Sequence, residues 1–330
     1  MSGVANRCPV LLQGLALLAT IPALCGFTTT TLDPAQAQIV TTDVEHFWRA
    51  FDDAAKTPLP QRPAVYAAEY LDLGSQGLKD FTARRIGNAR RFSEHVEENR
   101  AYYAKVRPQI GVVVAQKQAI EAAFRQLKAV YPDIKFPKHV YFVIGRQHAA
   151  GINSDNGIIL AAEMFATPPG TPYNYGAVYP DFVPFAVVHE TVHFNQAFQD
   201  EENITLLQGT ITEGTADFIA SLALPEPDVR QYTDRWQYGC AHEAGLAARY
   251  QHDQDVTMMQ PWMYDHAPAP GWPPDMGYWM GYRIDQSLYA QAQDKTAALR
   301  SMLQVTDFKA LFKKSGYPAK ATACKPQSPR

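Results

Sequence analysis

The chain has 330 residues, 46% of them hydrophobic and 12% aromatic, with a formal net charge of −3. That is enough apolar material for the core of one large domain or two small ones, and the aromatic share excludes a disordered chain. The near-neutral balance excludes nucleic acid as the main partner, which needs a basic face, and four cysteines are too few for a disulfide scaffold.

Residues 1–37 read as a signal peptide. Arg7 supplies a positive start, Val10 to Leu24 is apolar apart from Gln13, Thr20 and Pro22, and Ala35-Gln36-Ala37 places small residues at −3 and −1 of a cut. The apolar run is too short for a stable membrane anchor. Leu24 stands before Cys25, where a lipoprotein signal wants a small residue. The expectation is an exported protein, periplasmic or extracellular, with no transmembrane segment in the mature chain. A cut after Ala37 leaves 293 residues (330 − 37) and two of the cysteines, Cys240 and Cys324. In an oxidising compartment these form either one bridge, tying the proline-rich tail to the body, or two unpaired thiols.

From Thr42 to about Tyr131 the pattern is helical, with Val44, Phe47 and Phe51, then Ile120, Phe124 and Leu127, recurring at helical spacing. Between Asp80 and Ala104, Phe81, Ile86 and Phe92 face inward. The pairs Arg84-Arg85 and Arg90-Arg91 are balanced there by Glu94, Glu97 and Glu98, which predicts a solvated face. His139 to Ile144 reads as a strand, Gly151 to Gly157 as turn, and Ile158 to Ala162 as a second strand. The two strands form an antiparallel hairpin or a wider connection. Pro168 to Pro180 is a loop before a long apolar helix. The expected fold is α+β and helix-rich with a small β-sheet, in one domain over residues 38–330: a helical part, 38–135, and a catalytic part, 136–330.

His189-Glu190-Thr191-Val192-His193 has the form His-Glu-x-x-His. On a helix, side chains four apart share a face, so both imidazoles can reach one metal ion. Glu190 lies about 100° round the helix, beside the metal, where it can take a proton from water. Glu213 follows His193 by 20 residues on a second helix, Thr205 to Leu224, and can return as a third ligand. Two nitrogens and a carboxylate leave the open position of a catalytic zinc site, whereas a structural site would close it, usually with cysteine. Asp217, one turn after Glu213, can hold the free ring N–H of a ligand histidine.

These residues resemble the gluzincin class of zinc peptidases. More closely, Val188-His189-Glu190, Val192-His193-Phe194 and Thr212-Glu213-Gly214-Thr215-Ala216-Asp217 resemble a bacterial family of predicted Zn-dependent proteases related to gliding-motility lipoprotein B. The segments Asp275 to Ile284 and Asp307 to Tyr317 extend the likeness over about residues 139–318. The resemblance implies a zincin-like fold, one Zn2+ ion and a peptidase acting on a peptide or protein substrate.

The expected reaction is hydrolysis by a zinc-bound water with Glu190 as the base. The oxyanion needs a further donor. Tyr278 and Tyr282, one turn apart on a helix whose Gly277 and Gly281 allow close packing, are the candidates, ahead of Arg283, His242 and His266; the alternative is an aromatic packing face. Gly157 to Leu160 is the expected edge strand for an extended substrate. Two other functions stay open: a non-catalytic or assembly-type envelope protein on this scaffold, and a hydrolase of a non-peptide amide.

Overall fold

A computed structural model describes residues 30–31, 33–168, 178–198, 200, 203–225, 230–264 and 269–325. Most of the expected signal peptide, most of the Pro168–Pro180 loop, part of the turn before Glu213, and His266 lie outside them.

Strand β1 (Thr30–Thr31) pairs antiparallel with β3 (Phe136–Pro137). Between them in sequence come β2 (Gln38–Val40) and the helices α1 (Thr42–Ala55), α2 (Arg62–Tyr66), α3 (Gln76–Phe81), α4 (Ala89–Glu98), α5 (Arg100–Val114) and α6 (Lys117–Val130). Two π-helical turns, Ala67–Leu71 and Thr82–Ile86, extend α2 and α3. The expected boundary at Ala37 falls inside this body: β1 is already paired, and Ala37 itself is buried. A cut there would strip off a strand that pairs with β3.

The main sheet has the order β2-β4-β6-β5, with β4 (His139–Val143), β5 (Gly151–Ser154) and β6 (Gly157–Ala161). β4 and β6 are neighbours but parallel, and the stretch expected as turn contains β5, which forms the antiparallel hairpin with β6. Period alone could not show this, because β6 is central and buried along its whole length, so its apolar run carries no facing information. The edge strands of this sheet are β2 and β5, and β6 is internal, which corrects the expectation for Gly157 to Leu160.

The second half adds α7 (Val183–Asn195), α8 (Leu206–Ala223), α9 (Arg230–Asp253, kinked at His242), α10 (Met276–Gln291), α11 (Lys295–Leu303) and α12 (Phe308–Ser315). Helix α7 packs on β5 and β6, and α8 lies between α7 and α10. One hydrophobic cluster runs from Ala37 to Tyr317. Among the described residues no helix is long and apolar enough to cross a membrane.

The crossing of α8 and α10 has no room for side chains. A Cβ on Gly214 would lie 2.3 Å from the Gly281 carbonyl carbon, and one on Gly281 would lie 1.9 Å from the Thr210 carbonyl oxygen. The tail is held just as firmly. Arg283, 1% exposed, donates to Glu243 (2.9 Å) and to the Thr322 carbonyl (2.6 Å), and Cys240 and Cys324 form a disulfide across 84 residues. Arg283 is thus a tail clamp, and His242 is exposed and turned to its own helix, donating to the Tyr238 carbonyl.

Of the buried carboxyls away from the histidines, Glu163 and Asp285 are the two whose proton affinity burial raises. Glu163 accepts the N–H groups of Gly145 (2.9 Å) and Gln147 (3.3 Å), and Asp285 accepts the Thr215 hydroxyl. Burial pushes each up to about 7, against the opposing effect of these hydrogen bonds.

Two outcomes are expected. Gly281→Ala should push α8 and α10 apart and lower stability by about 1–3 kcal/mol or more, read from urea unfolding. The raised carboxyls keep protons in the folded state that the unfolded chain releases, so their contribution is complete below the ordinary carboxylate range and fades as pH rises to about 7. Asp285→Asn should flatten the fall in stability between pH 5 and 8 by about 2–4 kcal/mol.

Candidate metal centre

Helix α7 is buried through Val187, Val188, Thr191 and Val192, which leaves His189 and His193 on a part-exposed face. Its end is tied down by Asn195, whose side chain accepts the Lys135 N–H (2.9 Å) and donates to the Lys135 carbonyl (2.8 Å). Helix α8 starts at a capping box, Thr205 with Gln208, and presents Glu213 and Asp217 one turn apart toward α7.

The ligand atoms converge. His189 Nε2 and His193 Nε2 are 2.9 Å apart, and Glu213 Oε2 lies 3.3 Å from the first and 3.2 Å from the second. Three ligands at tetrahedral angles about 2.0–2.2 Å from a zinc ion would lie roughly 3.3–3.5 Å from one another, so the triangle fits that ion with little adjustment. The other ring nitrogens are already assigned. His189 Nδ1–H donates to Asp217 Oδ1 (2.9 Å), and His193 Nδ1–H donates to Gln196 Oε1 (2.8 Å). The amide of Gln196 is oriented in turn by its donation to the Thr212 carbonyl (2.8 Å). Both Nε2 lone pairs are thereby left facing the same point.

The charges match this arrangement. Burial opposes protonation of His189, yet Asp217 and Glu213 outweigh it and hold the imidazole well above its usual range. Burial also opposes protonation of His193, and Glu213 raises it nonetheless. Glu213 is driven well below the ordinary carboxylate range, since the two imidazoles beside it outweigh the effect of burial. A metal ion must displace the proton held here, so uptake is favoured as pH rises. Burial pushes Glu190 up, with the two imidazoles pulling the other way.

Glu190 lies off the ligand triangle, against the sheet. A Cβ on Gly151 would sit 2.5 Å from Glu190 Oε1, so only glycine lets the β5 edge approach this carboxylate. Tyr278 stacks over His189, with ring centroids 6.3 Å apart and planes 19° apart. Tyr282 is elsewhere: its hydroxyl shares a hydrogen bond with Ser221 Oγ (2.9 Å), and its ring packs edge-on against Trp236 and Phe218. One turn of α10 rotates the side chain far enough to change its neighbours.

Three residues had no motif to announce them. Tyr264, half exposed, donates its hydroxyl to Glu213 Oε1 (2.8 Å) and sets its ring edge-on to Tyr278. It is held at a left-handed turn (φ 58°) by the donation of its N–H to Asp275 Oδ1. Arg235 reaches within 3.9 Å of Asp217 Oδ2 and lies 5.2 Å over the Tyr278 ring. Gln196, three residues past the second histidine, was readable in principle from its i+3 spacing.

Two family models match the chain. The model of the gliding motility protein GldB matches residues 30–238, 209 of the 330. The chain belongs to this family. A second model, described as predicted Zn-dependent protease, matches residues 179–308, the span that carries the histidines, Glu213, Asp217 and both Tyr264 and Tyr278. No curated protein and no solved structure matches. The fold of this GldB-family chain is α+β, helix-rich and zincin-like, and its His189–His193–Glu213 cluster is compatible with zinc.

If Asp217 orients His189, Asp217→Ala should weaken zinc binding about 10–100-fold in competition with a chromophoric chelator. Tyr282→Phe should leave zinc affinity within about twofold; an equal loss in both variants would mean that packing of α8 and α10, rather than ring orientation, sets affinity.

Proposed function

We propose that this protein is an exported zinc-dependent metallopeptidase. The observation that carries the reading is Glu190: a carboxylate next in sequence to the first histidine, outside the three-residue ligand group, and pressed against Gly151 on the β5 edge. A purely structural metal site has no use for such a group.

His189, His193 and Glu213 would hold the ion, and a zinc ion there supplies Lewis-acid chemistry, polarising a carbonyl and acidifying water. The protein's own groups do the rest. The N–H and C=O groups on the edge of β5 align an extended peptide. Glu190 takes a proton from the attacking water as its oxygen bonds to the peptide carbon, and delivers it to the amine nitrogen as the C–N bond breaks. Burial raises Glu190, which brings its affinity for a proton nearer to neutral pH. The hydroxyl of Tyr278 is the donor for the developing oxyanion, in place of the pair Tyr278 and Tyr282, while Tyr264 gives its one proton to Glu213 and so positions that carboxylate. Burial and the charge of Glu213 hold both hydroxyls above their ordinary range, so they remain protonated donors.

The disulfide between Cys240 and Cys324 supports export, since such bonds persist outside the reducing cytosol. With β1 part of the folded body, signal cleavage belongs before Thr30.

The family match favours a second reading, a role in envelope assembly in which the zincin scaffold catalyses nothing. Glu190→Gln separates the two. A peptidase should keep its zinc and lose peptide hydrolysis by about 100-fold or more, whereas an assembly protein should show no chelator-sensitive hydrolysis in the parent and an unchanged cellular phenotype in the variant.

A further inference from the structure

The edge of β5 is shorter than its sequence span. Ala161 N–H donates to the Ala150 carbonyl (2.9 Å), so by the alternation of an antiparallel ladder Ile152 and Ser154 pair inward with β6. The backbone groups of Gly151 and Asn153 then point away from the sheet, and Gly151 is the one beside Glu190. The Asn153 carbonyl is already taken. Arg84 Nη1 donates to it at 2.6 Å, from the π-helical turn that follows α3. Arg84 is exposed, as the expected solvated arginine face requires, and so is Arg90, which pairs with Glu94; Arg84 differs in reaching a backbone carbonyl.

The turn that carries Arg84 is clamped in place. Asn156, in the β5–β6 turn, donates to Asp80 Oδ2 on α3 (2.7 Å), and Arg146 donates to the Arg85 carbonyl (2.8 Å). A single π turn inside a helix is itself a feature that concentrates at functional sites.

We infer that Arg84 is a specificity-determining residue that ends the peptide-binding edge two residues from Glu190, about 7 Å along the strand. The inference rests on the peptidase reading. Its consequence is a substrate class: peptides cleaved near one chain end, with a short segment on the side that runs past Asn153. A long segment on that side must displace the guanidinium from the Asn153 carbonyl or leave the sheet edge. Among the described residues no side chain is hydrogen-bonded to the Gly151 backbone on the opposite side.

The test uses zinc-loaded full chain carrying Glu190→Gln, so that peptides bind without being cut. The probes are a fluorescein-labelled Ala-Val-Thr-Ala peptide and two octapeptides that lengthen it at one end or the other, read by anisotropy. In this parent, lengthening at one end should tighten binding and at the other should not. Adding Arg84→Met, or the shorter Arg84→Gln, should tighten binding of the obstructed octapeptide about fivefold and leave the tetrapeptide unchanged. The inference is overturned if the two octapeptides bind alike in the parent, if the arginine variants shift all three peptides equally, or if no peptide binds. Hydrolysis is scored separately on the protein with Glu190 intact. Failure there removes the peptidase reading, while the affinity ratios still decide the role of Arg84.

Discussion

Two hydrogen bonds aim the imidazoles, and the centre depends on them. With Nδ1–H of His189 on Asp217 and Nδ1–H of His193 on Gln196, each ring has one tautomer and one direction, and the free lone pairs meet Glu213 at a common point. Asp217 and Glu213 both belong to α8, and Gln196 is oriented by the Thr212 carbonyl on the same helix. The geometry of a two-histidine helix is therefore set by its neighbour. That neighbour is seated by the bare backbone contact of Gly214 with Gly281, so the position of α10 reaches the ligands through a place where no side chain can act as a cushion.

The helical N-terminal half contributes to the surroundings of the β5 edge as well as to the core. It buries β4 through α1 and α3 and sends Arg84 to the outer edge of β5. Around the ligand group lie the strand edge, where Gly151 meets Glu190, and the aromatic pair Tyr264 and Tyr278, with Arg235 over the Tyr278 ring. Placing polar groups at this depth works because most are paired: Asp217 between His189 and Arg235, Glu213 between two imidazoles and a tyrosine hydroxyl.

The same residues explain what was readable in advance. His189, His193, Glu213 and Asp217 sit on helices, where the 3.6-residue period turns spacing directly into a shared face. Tyr278 and Tyr282 show the limit of that rule. They lie one turn apart on α10, yet only Tyr278 reaches His189, because Tyr282 meets α8 and α9 at Ser221, Phe218 and Trp236. For the strands the rule gave less. β6 is apolar throughout because it is central, and β5 hid among glycine, asparagine and serine because one of its sides faces no partner strand.

By itself the sequence determined the helix-rich α+β class and the shared helical faces of His189 with His193 and of Glu213 with Asp217, since each follows from local periodicity, whereas the approach of Glu213 to the histidines needed the packing of two helices. Tertiary structure decided which strand forms the edge, where Arg84 lies, which tyrosine reaches the ligands and that Cys240 meets Cys324. Those contacts join segments far apart in the chain, and their partners are chosen by how helices and strands pack, which no local spacing encodes.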